Sequence, residues 1–450
     1  MLIDKKFKPL SVEFIKFEED VKKSKKSQKA AFCLERNDGL KSRFDFEIFA
    51  DGVADERNYE IAERIFKSML WISGGYKLYV SAGKYVENRL VDEYRYGGAR
   101  EFDADFMGGI YESKFEIIPT EYKKVPAANE KAQKIGGQLK GCRIGFDAGG
   151  SDRKVSAVVD GKVIWSDETV WNPKLNSDPK YHFDGIMDSM KRAAEKMERV
   201  DAIGVSSAGV YINNRAMAAS LFVKVGKEDF DKYCKDIYIN CAKEFGNVPI
   251  VVANDGDVTA LAGAMEFGAT NILGIAMGTS EAAGYINSQG CINGWLNELA
   301  FVPVDANKDA MVDEWSGDKG CGVKYFSQDG VIKLAEMDGY KFEDGLLPAE
   351  KLKVIQGLLA KDDPMAIRIF EDIGEYLGYA IAWYSNFYAI DNLMILGRVT
   401  SGKASDLIVE GAKKVLSTEY KKLSKIKFLF PDEKNKRVGQ SIAAASLPNT

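Results

Sequence analysis

One histidine, His182, stands among 450 residues, and that scarcity excludes chemistry before any motif is read. A Ser-His-Asp hydrolase needs an imidazole base, and a multi-histidine metal centre needs several. A lone histidine on the polar stretch 178–184 offers neither and is expected to be solvated. Cysteines are few and scattered, at 33, 142, 234, 241, 291 and 321, with no CxxC pair. They read as free thiols of a reducing compartment. No apolar run is long enough to span a membrane, and the start Met1-Leu-Ile-Asp-Lys-Lys6 lacks an apolar signal segment. A cytoplasmic protein without a membrane partner is expected. Positive charge is in deficit too: 62 Lys+Arg against 67 Asp+Glu give a net charge of −5. That balance argues against nucleic acid as a partner, because phosphate binding is chiefly electrostatic.

What is present is an ordinary globular composition, 46% hydrophobic and 29% charged, with length for several domains. The lysine run 22–29 reads as solvated helix or surface. Residues 32–49 read as a hairpin turning at Asn37-Asp-Gly39, followed by helices near 60–72 and 84–94 around a strand at 76–81. These make a small α/β unit that ends at 119–126. Gly74 and Gly75 precede their strand, the wrong side for a phosphate loop. The basic stretch 127–140 reads as a linker.

The chain is organised around 248–268. Ile250 to Ala253 form a buried strand, Asn254 and Asp255 sit at its end, and Val258, Leu261, Ala262 and Met265 recur at helical spacing. A carboxylate between a strand end and a helix N-terminus faces the crevice where open α/β sheets bind ligands. Asp255 is placed to be a general base, and the helix dipole should keep it ionised. The same position also suits plain helix capping by Asp255 and Asp257.

Glycine turns flank this segment. Strand 143–147 breaks at Gly149-Gly-Ser151 before strands 154–159 and 162–165, and strand 271–277 breaks at Gly278-Thr-Ser280 to resume after Gly284. Such turns let backbone N–H groups approach a phosphate, and Asp147 at a strand end suits Mg²⁺ held through water. Helices near 184–198 and 227–245 lead to the central strand. Helices 346–359, 364–388 and 406–416, strands 392–396 and 426–430, and a small-residue helix from 439 complete the chain.

In this order the motifs resemble those of the ROK family (repressors, open reading frames, kinases). Asp147-Ala-Gly-Gly-Ser-Asp152 resembles the family's Asp-x-Gly-Gly-Thr-Lys, and Asn254-Asp-Gly-Asp257 resembles its Asn-Asp-Ala-Asn. Gly278-Thr-Ser280 resembles Gly-Thr-Gly, Leu396-Gly-Arg-Val399 resembles Leu-Gly-Gly-Gly, and Asn297-Glu-Leu-Ala-Phe301 resembles Gly-Glu-Leu-Gly-His. The resemblance implies an α/β fold of two actin-like (ribonuclease-H-like) lobes around a cleft, at 141–255 and 256–436. Helix 437–450 would pack back on the first lobe, with residues 1–140 a small α/β extension. It implies ATP and Mg²⁺ as cofactors, a carbohydrate substrate, and a homodimer. Asp255 would be the catalytic base. Gly149, Gly150, Ser151, Gly278, Thr279, Ser280 and Gly397 would face the nucleotide, and Asn254, Glu298, Asn213 and Asn214 the sugar.

Departures from the family pattern carry further expectations. The family's structural zinc ligands fall on Phe301, Glu314, Ser316 and Cys321, so no zinc site is expected. Its Cys-Leu-Glu motif becomes Cys321-Gly-Val323, which removes a sugar-binding acid. Phe301 and Val323 together would make an apolar pocket suited to a less hydroxylated substrate. The leading function is an ATP-dependent kinase acting on a sugar or polyol hydroxyl. The alternative is a ligand-responsive binding or regulatory protein that keeps the fold without turnover.

Overall fold

The computed structural model describes residues 2–130, 135–431 and 433–449, and within 433–445 the side chains from 439 onward. The first helix, α1 (Leu10–Ser24), is amphipathic rather than solvated all round. Leu10, Phe14, Phe17 and Val21 form its buried stripe, while Lys22 and Lys23 sit in the last turn, where the helix dipole favours cations. Strands β1 (Ser27–Glu35) and β2 (Lys41–Phe49) pair antiparallel across the turn at Asn37–Gly39. After α2 (Asp55–Ser73), β3 (Lys77–Ser81) adds antiparallel to β1; after α3 (Lys84–Glu93) and α4 (Glu101–Ile110), β4 (Glu116–Pro119) adds parallel to β3. Of the expected linker, residues 131–134 lie outside the described residues. Its flanks are pinned, Asn129 bridging Lys41 and Ile135 bridging Ile292.

The second sheet has the order β11-β8-β5-β6-β7. It comprises β5 (Cys142–Ala148), β6 (Asp152–Val159), β7 (Lys162–Val170), β8 (Ala202–Ser207) and β11 (Ile250–Asn254), with α5 (Pro179–Ala194) between β7 and β8. Strands β5, β8 and β11 run parallel, so Asp147, Ser206 and Asn254 gather at their C-terminal ends. A ribbon of β9 (Val210–Ile212) and β10 (Arg215–Ala218) turns at Asn213 and Asn214, both at positive φ, as two-residue hairpin turns require. The helix expected at 227–245 is broken into α6 (Lys227–Asp229), a π turn at Phe230–Cys234 and α7 (Ile237–Lys243). The Lys235 carbonyl leaves the helical ladder to accept from the Ala216 N–H at 2.9 Å.

The third sheet, β13-β12-β14-β15, repeats the pattern with one hairpin strand fewer. It follows α8 (Asp255–Phe267) and contains β12 (Ile272–Met277), β13 (Glu281–Ile286), β14 (Asn392–Leu396) and β15 (Lys427–Leu429). Strand β13 resumes at Glu281, not after Gly284, so the break is only three residues long. Helices α9 (Gln328–Met337), α10 (Pro348–Leu359), α11 (Pro364–Tyr384) and α12 (Lys403–Thr418) belong to this half, and α13 (Glu433–Ala445) ends the chain. Helix α13 returns to the second sheet. A methyl at Gly145 or Gly204 would overlap the carbonyls of Ser441 and Ala444, so the bare strand surface admits the helix backbone.

The main apolar core of the N-terminal segment, from Phe7 to Ile110, is continuous with that of the third sheet. Phe7 packs on Tyr376 with ring centroids 4.3 Å apart, Phe14 on Trp383 at 5.5 Å, and Trp71 on Phe301 at 4.1 Å. The second sheet has its own core. Among the described residues no helix is long and apolar enough to cross a membrane.

Candidate active site

Asp255 opens α8 directly from the end of β11. Its neighbour Asn254 is fully engaged: Oδ1 accepts from the Gly256 N–H and Nδ2 donates to the Gly209 carbonyl, both at 2.8 Å. Asn254 therefore fixes the strand–helix junction as well as lining the cleft. The Asp255 carboxylate accepts from the Gly256 N–H at 3.1 Å, yet its pKa is raised, because burial outweighs these backbone hydrogen bonds. The helix dipole alone does not set its charge, contrary to the sequence expectation. Asp257 is buried and is not a cap. It accepts from the Tyr285 N–H at 3.0 Å and from Asn297 Nδ2 at 2.8 Å, and Tyr388 donates to Asn297 Oδ1 at 2.9 Å. Burial pushes Asp257 up to about 7.

Glu298 is half-buried and held by the N-terminal segment. The Asn297 and Glu298 N–H groups donate to the carbonyls of Ile72 and Trp71 at 2.9 and 3.0 Å, filling acceptors that the end of α2 leaves open. Burial, then the Asp255 carboxyl, pushes Glu298 up to about 7. Asp147, pushed to about 6 by burial, accepts from Ser206 Oγ at 2.8 Å and lies 3.9 Å from Lys154 Nζ. Asp255 is in electrostatic reach of Asp147, Asp257 and Glu298, which joins these groups into one acidic site. Among the described residues no three carboxyl, thiol or imidazole groups converge closely enough to hold a metal ion directly.

A cavity of about 310 Å³ adjoins this site, lined by Asn213, Asn214, Asn254, Asn293, Trp295 and, from the N-terminal segment, Asn37. Asn37 Nδ2 donates to Asn213 Oδ1 at 3.3 Å across the cleft, and Asn214 Oδ1 accepts from the Val252 N–H at 2.9 Å. Asp257 lines the cavity, whereas Asp255 and Glu298 do not. Phe301 and Val323 do not line it either. The Phe301 ring stacks on Trp71, and the cavity wall mixes asparagine amides with apolar side chains such as Ile135, Ile212, Ile292 and Leu296 rather than drawing on Phe301 and Val323.

The two glycine turns are held differently. Trp171 ties down the first, its N–H donating to the Ser151 carbonyl at 3.1 Å and its Nε1 to the Gly149 carbonyl at 2.8 Å. At Gly278 an added Cβ would meet nothing closer than the Ser280 carbonyl at 3.7 Å, so space lies open before that turn, with Thr279 and Ser280 exposed. Gly397, at φ +105°, is required by packing: any side chain would overlap the Met277 backbone.

Residues 143–436 match the family model of the ROK family. The chain belongs to the ROK family. A glucokinase of Halalkalibacterium halodurans is 28% identical over 207 residues, covering 42% of this chain and 59% of that relative, less than two thirds of its length. A ROK hexokinase from Thermus thermophilus shares the fold with a TM-score of 0.53 at 15% identity, over 68% of this chain and 97% of that one. A ROK family transcriptional regulator, a homologue of the E. coli MLC protein, does so with a TM-score of 0.51 at 15% identity, over 68% and 78%. The fold is common to an enzyme and a regulator, so function has to be argued from the site.

Against the ROK pattern, the four positions aligned with zinc ligands have other partners. Phe301 stacks on Trp71, Glu314 pairs with Lys324 at 2.5 Å, Ser316 Oγ donates to Asp313 at 2.6 Å, and the Cys321 thiol is buried and pushed up to about 12. The segment is anchored instead by Asp318, which meets Arg64 at 3.0 Å and Arg100 at 2.7 Å, both from the N-terminal segment.

Sequence reasoning passed over Glu281, which is 3% exposed and, among the described residues, has no hydrogen-bond partner for either carboxyl oxygen. Glycine at 322 makes room for it, since a methyl there would overlap the carboxyl. Burial, then Glu298, pushes its pKa well above 4.5. A carboxyl raised in the fold contributes stability that is full below the unfolded value and is lost as pH rises. Glu281→Gln should therefore gain in melting temperature over the parent as pH rises above about 4.5. Melting curves from pH 4 to 8 (a range of about four units) check this; a constant difference across them would show that Glu281 does not titrate out of place.

Proposed function

We propose that this ROK chain is an ATP-dependent phosphotransferase acting on a hydroxyl of a neutral sugar. The observation that carries the reading is Asp255, a carboxylate fixed at a strand–helix junction between two glycine turns and beside a cavity of about 310 Å³ in which asparagine amides are set among apolar side chains. Asp255 would accept the hydroxyl proton. The acceptor oxygen forms its bond to the γ-phosphorus as the bond from that phosphorus to the bridging oxygen breaks, the electron pair leaving with ADP. Gly149, Gly150, Gly278 and Thr279 would hold the phosphates, and Mg²⁺ held through water by Asp147 would neutralise their charge. Asparagine amides and Trp295 suit hydroxyls and a sugar face, and among the described residues no Lys or Arg lines the cavity, which favours an uncharged sugar.

A second reading, a sugar-responsive regulatory protein, is favoured by Asp152, which puts a carboxylate beside the first glycine turn. The two part in one experiment. ADP release over a panel of hexoses, N-acetylhexosamines and polyols should rise above the ATP-only rate for at least one neutral sugar, whereas sugar binding without ADP release on any member supports the regulator.

A further inference from the structure

The cation needed at the first glycine turn is not supplied by its nearest lysine in sequence. Lys154 is already committed, with its ammonium 3.0 Å from Asp152 and 3.9 Å from Asp147. A second lysine arrives from outside the turn. Pro173–Leu175 form a single 3-10 turn after β7, and its central residue, Lys174, lies over Gly150. A Cβ built on Gly150 would stand 3.3 Å from Lys174 Nζ. Lys174 is exposed, and among the described residues its ammonium has no hydrogen-bond or ion-pair partner. It is close enough to Asp255 to favour that residue's ionised form. The ammonium thus lies beside the glycine turn and within electrostatic reach of the proposed base.

The turn carrying it is braced. Trp171 makes its two hydrogen bonds to the glycine turn, and the Asn172 N–H donates to Tyr181 Oη at 3.0 Å. Below it is the chain's single histidine. His182 is 0% exposed on α5, not solvated on a loop as the sequence suggested. Its Nε2 lies 3.1 Å from the Pro173 and Leu221 carbonyls, and its Nδ1 lies 3.0 Å from the Asp178 carbonyl. An exposed, unpaired lysine on so well-fixed a turn is poised for a ligand rather than for surface solvation.

We propose that Lys174 is a catalytic residue which contacts the phosphoryl group in transfer. The inference rests on the kinase reading. As the acceptor oxygen bonds to the γ-phosphorus and the bond to the bridging oxygen of ADP breaks, Asp255 takes the hydroxyl proton and Lys174 faces the charge on the oxygens in flight. A compact ammonium serves such a point contact.

The test is Lys174→Met beside Lys174→Arg in the full chain, read by calorimetric binding of AMPPNP and of AMP, and by turnover on the best sugar of the panel. Lys174→Met should weaken AMPPNP about tenfold or more while leaving AMP unchanged, and should lower kcat about 10²–10³-fold, the scale for removing one preorganised donor. The sugar KM should stay near the parent value, and Lys174→Arg should recover part of both losses. Parent-like AMPPNP affinity in Lys174→Met overturns this inference alone. A parent protein that binds no AMPPNP overturns the kinase reading and the inference together.

Discussion

Asp255→Asn should lower kcat about 10²–10⁴-fold, the range for loss of a general base, or about 3–5 kcal/mol of barrier. The amide keeps the side chain's shape and can still accept from the Gly256 N–H, so β11, α8 and the junction held by Asn254 stay in place. What goes is the proton acceptor. Sugar affinity should hardly change, because the cavity is lined by Asn213, Asn214 and their neighbours rather than by Asp255. The pH profile gives an independent check. Since burial raises Asp255 above 3.8, the ascending limb of kcat/KM should lie above the ordinary aspartate range. A variant that keeps half the activity would show that another group takes the proton.

The largest stability effect is expected far from the glycine turns, at Lys67. Its ammonium is 0% exposed and donates to both Asp103 oxygens at 2.7 and 2.8 Å, while Trp71 Nε1 donates to the same carboxylate at 2.8 Å. Asp318 lies 3.6 Å away. Lys67→Met leaves a buried carboxylate without its cation, which costs about 3–5 kcal/mol. Removing both charges with Lys67→Met and Asp103→Leu should recover much of that loss, because an apolar pair needs no counter-ion. Trp71 also accepts the Glu298 N–H and stacks on Phe301, so the single variant should weaken sugar binding as well as stability. Urea unfolding checks the first part; a cost below about 1 kcal/mol would place the pair among interactions of surface strength.

The parts legible in the sequence were those written in local pattern. The strand 250–254, the junction at Asp255 and both glycine turns are set by residues within a few positions of one another, and periodicity and turn chemistry find them. The β13 start at Glu281 is hidden in the sequence because a buried glutamate does not look like a strand residue; only Gly322, far along the chain, explains how it fits. His182 was misread for the same reason, since its carbonyl partners at Pro173 and Leu221 are brought to it by the fold. Lys174 gave one weak signal, a lysine directly after a proline in an Asn-Pro turn, and nothing in its neighbours says that Gly150 lies beneath it. The N-terminal segment was legible as hairpin and helices but not as a wall of the cleft. That role depends on Asn37 meeting Asn213, and on the end of α2 meeting the Glu298 loop.

The central claim is phosphoryl transfer from ATP to a sugar hydroxyl with Asp255 as base. Mass analysis of the sugar recovered after incubation with ATP and Mg²⁺ tests it most directly. The account predicts a singly phosphorylated sugar in amounts matching the ADP released, with little formed by Asp255→Asn under the same conditions. Sugar recovered unmodified from every member of the panel, by a protein that binds it, would contradict it.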